Sequence, residues 1–289
     1  MRIHSLFIVS LLALSLVAAG CGEDEDSAGS AGTSTPTAAA ASCEKSSLQL
    51  KTADQLTVGT DKPAFPPYFE DDDPTNGKGF ESAVAYAVAE QLGFAKDEVK
   101  WVTVPFNSSY APGPKDFDFD INQISITPQR AKRVDFSEPY FTAPQAVIAP
   151  EGSPAQGATT LADLADKTIG VQVGTTSLEA VTSTVKPSRQ PKVFNDSNDI
   201  VTALKQGQVD AVAVDLPTAF YLTAAQVPSA KIIGQFSAPG GDDWGALLEK
   251  DSKLTPCVDQ ALAKLRESGE LDAITKKWMG AGAGAPELR

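Results

Sequence analysis

The sequence predicts an α/β protein with mostly parallel sheets, and two observations carry the prediction. From Leu56 onward, short β-rich runs alternate with stretches of helical composition and apolar spacing. Turn and cap residues fall at the junctions: Gly93 and Gly207 follow helical stretches, and Thr160 and Asp196-Ser197 precede them.

Taken in order, Leu56–Thr60 (LTVGT) reads as the first strand and ends at a turn-prone stretch, DKPAFPPYFEDDDPTNGKG. Phe80–Leu92 (FESAVAYAVAEQL) is a helix with Gly93 as its stop. Val99–Val104 alternates like a strand, and Phe117–Ile126 (FDFDINQISI) alternates apolar and polar residues with period two. Val147–Ala149 is a short strand. Thr160 caps the short helix LADLAD, and Thr168–Val173 (TIGVQV) is a buried-type strand. Gly174-Thr175-Thr176 opens the next helix, with Thr176 and Glu179 matching a capping box. Lys192–Phe194 is a strand. Asn198–Gln206 is a helix capped by Asp196 or Ser197, and Val209–Val214 is a strand with Asp215 at its carboxyl end. Ile232-Ile233 and Gly245–Leu248 are strand-like, Lys253–Glu267 is a long helix, and Leu271–Trp278 adds a last helical turn or two.

The N-terminus is of another kind. The apolar run Leu6–Val17 is too short to span a bilayer and leads into Ala18-Ala19-Gly20, which marks residues 1–20 as a signal peptide. Cys21, directly after Ala-Ala-Gly, resembles the lipobox of bacterial lipoproteins, in which the Cys is lipidated. Ala18 departs from the commoner Leu. Residues 21–42 are Gly, Ser, Thr, Ala and acid with no large apolar side chain, so they are expected to form a lipid-anchored flexible tether.

The net charge is −13, and loss of Arg2 with the signal peptide takes it to −14. Nucleic-acid binding, which rests on cations at phosphates, is therefore not expected. His4 is the single histidine and leaves with the signal peptide, which removes Ser-His-Asp and Cys-His catalysis and imidazole metal sites. Neither a metal nor a cofactor is expected. With Cys21 lipidated, Cys43 and Cys257 are an even pair in an oxidising compartment and are expected to form a disulfide.

Three features fall at carboxyl ends of strands, where α/β sheets hold ligands. The first is ITPQRAKRVDFSEPYF, with three cations, Arg130, Lys132 and Arg133, within four residues. A guanidinium offers a planar fork for a carboxylate, and Ser125 and Thr127 add hydroxyls and backbone N–H groups. Lys132 and Arg133 lie farther along the turn and are expected to face solvent. The second is Gly174-Thr175-Thr176, where the first N–H groups of a helix form an anion site. The third is Asp215, which can accept from an ammonium group. Each has an ordinary structural reading: a surface arginine, a capped helix, an N-cap aspartate. Together they are the charge complement of a zwitterion, and a free α-amino acid fits them.

From about Leu56 to Gly280 the chain resembles the polar amino-acid-binding family of bacterial extracellular solute-binding proteins, family 3, which serve ABC importers. The resemblance rests on GTD (Gly59–Asp61) with FPPYF (Phe65–Phe69), GKGFESAVAYAVAEQLG, SITPQRAKRVDFSEPYF, IGVQVGTT (Ile169–Thr176), VDAVAVDLP (Val209–Pro217) and ESGELDAITKKWMG. It implies a two-lobed Venus-flytrap fold with two hinge strands, near Phe141–Gln145 and Gly234–Ser237. Lobe one would hold residues 43–143 and 237–280, lobe two residues 144–236, and residues 281–289 would be a flexible tail. The family's ligand-binding roles carry over to Arg130 for the α-carboxylate, helped by the amides of Ser125 and Thr176. They carry over to Asp215 for the α-ammonium, helped by Ser125 and the backbone near Gln123, to Phe65 as an aromatic wall, and to Asp61 of the opening motif. The segment FNSSYAPGPKDFDFD departs from the family's usual pattern with its Pro and Gly, and Asn122-Gln123 stands where small residues are common, which points to a polar ligand side chain.

The function implied is that of an extracytoplasmic, membrane-anchored substrate-binding lipoprotein. It would be a monomer that captures a glutamate- or glutamine-like amino acid and delivers it to permease subunits. The alternatives are an amino-acid-sensing subunit and a dehydratase of the same fold; no catalytic residue is expected.

Overall fold

The computed structural model describes residues 42–280 and 284–289. The signal peptide, Cys21 and all of the expected tether except Ser42 lie outside the described residues.

The first sheet is built on β1 (Leu56–Thr60), whose five residues are all buried. Such a run needs cover on both faces, and α1 (Phe80–Gln91) supplies much of it through Phe80, Val84 and Val88. β2 (Val99–Thr103) and β3 (Phe119–Asp120) flank β1 in parallel. β12 (Leu247–Leu248) and β4 (Asp135–Phe136) follow antiparallel, giving the order β2-β1-β3-β12-β4. The period-two stretch Phe117–Ile126 is a strand only at Phe119-Asp120, because Gln123 takes a left-handed φ of 49° that stops the pleat. On the helical side, α6 (Thr255–Glu267) and α7 (Glu270–Trp278) pack on α1 through Val258, Leu262, Leu265 and Leu271. A disulfide joins Cys43 to Cys257 of α6, tying the segment ahead of β1 to this lobe.

The second sheet has the order β10-β6-β9-β7-β8, formed by Ala230–Phe236, Gln145–Pro150, Ala211–Asp215, Ile169–Gln172 and Lys192–Phe194. α3 (Thr176–Ala180) follows β7, α4 (Ser197–Lys205) follows β8, and α5 (Leu216–Tyr221) follows β9. Apolar clusters lie on both faces, one around Val147, Ile169 and Val181 and one around Ile148, Leu204 and Val212. The two-lobed α/β class is the one read from the sequence. The sheets themselves are mixed rather than mostly parallel: β7 pairs in parallel with β8 and β9, while β6 pairs antiparallel with β9 and β10. The reason lies in the connections. β6 carries the chain into this lobe and β10 carries it out, so the two must run in opposite senses.

The crossings are adjacent. β5 (Phe141–Thr142) pairs with β11 (Asp243–Trp244), and Gln145 at the start of β6 pairs with Phe236 at the end of β10. The chain passes from this two-stranded ribbon into the second sheet between Thr142 and Gln145, and returns to it between Phe236 and Asp243.

The end of the chain differs from the free tail expected from the sequence. Residues 284–289 lie along β10. Gln235 N donates to Pro286 O at 2.8 Å, Leu288 N to Gln235 O at 2.9 Å, and Leu161 N to Arg289 O at 3.2 Å. Leu288 is 4 % exposed and joins the second lobe's core, and a side chain at Gly234 would collide with Pro286 O at 2.6 Å. The physical reason is that β10 is an edge strand with open backbone groups, which the tail satisfies. α7 belongs to the first lobe, so the tail makes a third covalent link between the lobes. Deleting residues 284–289 is expected to cost about 2 kcal/mol from one buried Leu and its hydrogen bonds. That is a fall of roughly 4–8 °C in Tm for a chain of this size. Hydrogen exchange checks it: unchanged protection of the Gln235 amide in the truncated protein would mean the tail does not hold this edge.

Candidate functional site

Arg130 is 8 % exposed and reaches across from the first lobe to the second. It sits in the turn after Ser125-Ile126-Thr127, where Thr127 Oγ1 accepts from Arg130 N at 3.2 Å. Its Nη1 donates to Ser125 O at 2.8 Å, and its Nη2 donates to Gly174 O at 2.9 Å. Burial pulls its pKa down, and Tyr110, Asp215 and Glu179 hold it up, so the guanidinium stays charged. Lys132 and Arg133 are exposed, as their positions along the turn predict.

Asp215 ends β9 in the N-cap position of α5, yet its side chain makes no cap hydrogen bond. Gln145 Nε2 donates to Asp215 Oδ1 at 2.7 Å, and Ser177 Oγ donates back to Gln145 Oε1. That leaves Oδ2 free of protein donors among the described residues. Burial pushes the Asp215 carboxyl up to about 7, against the smaller pull of Gln145 and Arg130.

The register at α3 decides what Thr176 does. Thr175, not Thr176, caps the helix: its backbone is extended, and its Oγ1 accepts from Leu178 N at 3.2 Å. The capping box expected at Thr176 is therefore not formed. Thr176 becomes the first helical residue, and its Oγ1 meets Ser125 Oγ across the lobes at 3.1 Å. For the next helix, Asp196 is the cap and accepts from Asp199 N at 3.0 Å.

Asp61, Phe65, Gln123, Ser125, Arg130, Thr176 and Asp215 all line one cavity of about 100 Å3 between the sheets. Pockets for drug-sized ligands run to roughly 300–1,000 Å3, so this smaller space suits a small metabolite. Asp61 is fixed by two backbone donors, Lys62 N at 2.7 Å and Phe106 N at 3.0 Å. Gln123 is committed elsewhere: its backbone N donates to Glu81 Oε1 at 2.6 Å, and its Nε2 to Glu81 Oε2. Glu81 has no exposed surface, also accepts from Tyr140 Oη, and is raised by burial to about 7. Asn122 also lines the cavity, 8 % exposed, with an Nδ2 that has no partner among the described residues.

The arrangement can take a group with an anionic fork at one end and a cationic donor beside it. The lobes meet around it through Ser125–Thr176, Arg130–Gly174 and Tyr68 Oη with Thr218 Oγ1 at 2.8 Å. The sequence reading missed Tyr68, Phe106, Tyr110 and Thr218. Its one pointer was the Pro- and Gly-bearing departure around Phe106 and Tyr110. Otherwise these are contacts between distant segments, and no local pattern marks them.

Residues 56–281 match the model of bacterial extracellular solute-binding proteins, family 3. The chain is 30 % identical over 230 residues to the arginine-binding extracellular protein ArtP of Bacillus subtilis, covering 78 % of this chain and 86 % of that one. It is 29 % identical to the ABC transporter glutamine-binding protein GlnH of the same organism, covering 96 % and 97 %. Among solved structures, an ancestral arginine-binding protein bound to glutamine superposes with a TM-score of 0.68 at 32 % identity, covering 80 % of this chain and all of that one.

Proposed function

The chain belongs to the bacterial extracellular solute-binding proteins of family 3, and from that premise we propose that it captures a single polar L-amino acid between its lobes for an ABC importer. The carrying observation is that Arg130 and Asp215, from different lobes, line one small cavity. Arg130 takes the α-carboxylate with Ser125 and Thr176. Asp215 takes the α-ammonium through Oδ2. Phe65 covers the ligand.

The ligand side chain then meets Asp61, Asn122 and Asp196. Two carboxylates oppose an anionic side chain, and Asn122 Nδ2 offers a donor to a carbonyl oxygen. Of glutamate-like and glutamine-like ligands, this wall favours the latter. The closed form is the one a permease would receive, because a ligand bridging both lobes binds it better. Cys21 after Ala-Ala-Gly supports anchoring by lipid outside the cytoplasm. A dehydratase role finds no support in Glu81, which is fully committed to Gln123 and Tyr140 away from the cavity lining.

Magnitudes are consistent with transport. Charge-assisted hydrogen bonds contribute roughly 1.5–3 kcal/mol each. About five give on the order of 10 kcal/mol before association costs, against about 8 for micromolar affinity.

The test is thermal unfolding of a soluble chain starting at Ser42 against the common L-amino acids. A ligand at 100 times its Kd adds about 2.7 kcal/mol, roughly a 5–11 °C rise. A shift for one or a few polar amino acids, glutamine among them, supports the reading; no shift with any of them sinks it.

A further inference from the structure

Tyr110 stands outside the roles assigned so far. It follows α2 (Phe106–Ser109), a short helix of the first lobe. The segment beyond it is pinned, not loose: buried Lys115 turns its Nζ back to Ala111 O, and Lys115 N donates to Glu249 Oε2 at 2.9 Å.

Three contacts converge on Tyr110. Its ring lies 4.7 Å from the Arg130 guanidinium carbon, with the Phe106 ring at 5.6 Å. Its hydroxyl proton has two acceptors in reach, Asn107 Oδ1 and, on the other lobe, Gly174 O at 3.2 Å. That same oxygen accepts from Arg130 Nη2. Gly174 has a φ of 74°, and a Cβ there would run into Asn107 Oδ1 and Tyr110 Oη. The closed cleft therefore needs a bare backbone at Gly174, seated against this pair of side chains.

We propose that Tyr110 is a positioning residue with two separable roles: its ring sets the plane of the Arg130 guanidinium for the ligand carboxylate, and its hydroxyl, with Asn107, latches the closed lobes on Gly174. The proposal rests on the amino-acid reading of the cleft. The ring role follows from chemistry. Arg has many rotamers, and a fork can grip a carboxylate in two places only if its plane is held. An aromatic face does that without taking up N–H donors. The latch role follows from position. The hydroxyl and the Arg130 donor meet one carbonyl at the rim, so opening the lobes breaks both contacts together.

Two substitutions separate the roles. Tyr110→Phe keeps the ring and loses the hydroxyl. Tyr110→Ala loses both. The probe is the tightest binder among the twenty common L-amino acids, compared with its α-carboxamide, by stopped-flow release and calorimetry. Tyr110→Phe is expected to speed release about two- to tenfold, the range for one hydrogen bond, while keeping the preference for the carboxylate over the amide. Tyr110→Ala is expected to speed release further and to shrink that preference about tenfold or more. A purely structural role would lower affinity for acid and amide alike in both variants, and that pattern overturns the proposal. Gly174→Ala, which leaves Tyr110 intact, is expected to speed release as well; unchanged release there overturns the latch. Should wild-type protein bind none of the twenty, the amino-acid reading fails and this proposal with it. Binding with normal release in Tyr110→Phe ends the latch alone.

Discussion

Arg130→Ala is expected to weaken ligand binding by at least about 3 kcal/mol, roughly 150-fold, because the ligand carboxylate is left buried and unpaired. The structure adds a second loss. The same guanidinium joins Ser125 O to Gly174 O across the cleft, so its removal also weakens the closed state. Arg130→Lys restores a charge but not the fork and is expected to recover only part of the affinity. Calorimetry with the ligand found by the unfolding screen decides the matter. Affinity in Arg130→Ala within twofold of wild type would remove this residue from the site.

Asp215→Asn is expected to discriminate between ligand types, weakening α-amino acids far more than carboxylates that lack the amine. Equal losses for the two would refute the ammonium role. The pH dependence gives an independent reading. Asp215 stands near 7 in the unliganded protein, and an ammonium needs it ionised. Wild-type affinity is therefore expected to fall up to tenfold per unit as pH drops below about 7, and Asp215→Asn to lose that slope. Stability carries the opposite sign. The folded state holds this proton more tightly than the unfolded state, whose carboxyl titrates near 3.8, so the group's contribution declines as pH rises from about 4 to about 7. Asn cannot ionise. Without ligand, the variant is expected to melt above wild type at pH 8 and close to it at pH 4.

What the sequence made legible depends on how far each feature reaches along the chain. Asp215 was readable because it ends a short β-rich run, and Arg130 because its turn follows one; strand ends collect ligands in α/β sheets. β1, α1 and α4 were readable from composition, period and caps within one window. The extent of β3 was not, because the left-handed backbone at Gln123 interrupts an otherwise regular alternation and depends on Glu81, 42 residues away. Thr175 and Thr176 are chemically alike, so a local pattern could not choose which would cap and which would face Ser125. The mixed sheets follow from the crossings between lobes, which no window of a few residues contains. Tyr110 was visible only as a departure from a familiar pattern, since its partners lie on Arg130 and Gly174.

The seated C-terminus bears on how motion in this molecule can be watched. The segment around Cys43 is held to the first lobe, and residues 284–289 rest on the second. These two segments therefore ride on different moving bodies. Dyes placed on the two segments would register closure directly, without touching a residue of the cleft. The covalent reach from Gly280 to Gly284 is at most about 15 Å, so gaping along this edge has a fixed ceiling. A bulky fusion partner attached after Arg289 would pull on β10 beside the return crossing, and would be a poor choice for any assay that reads ligand release.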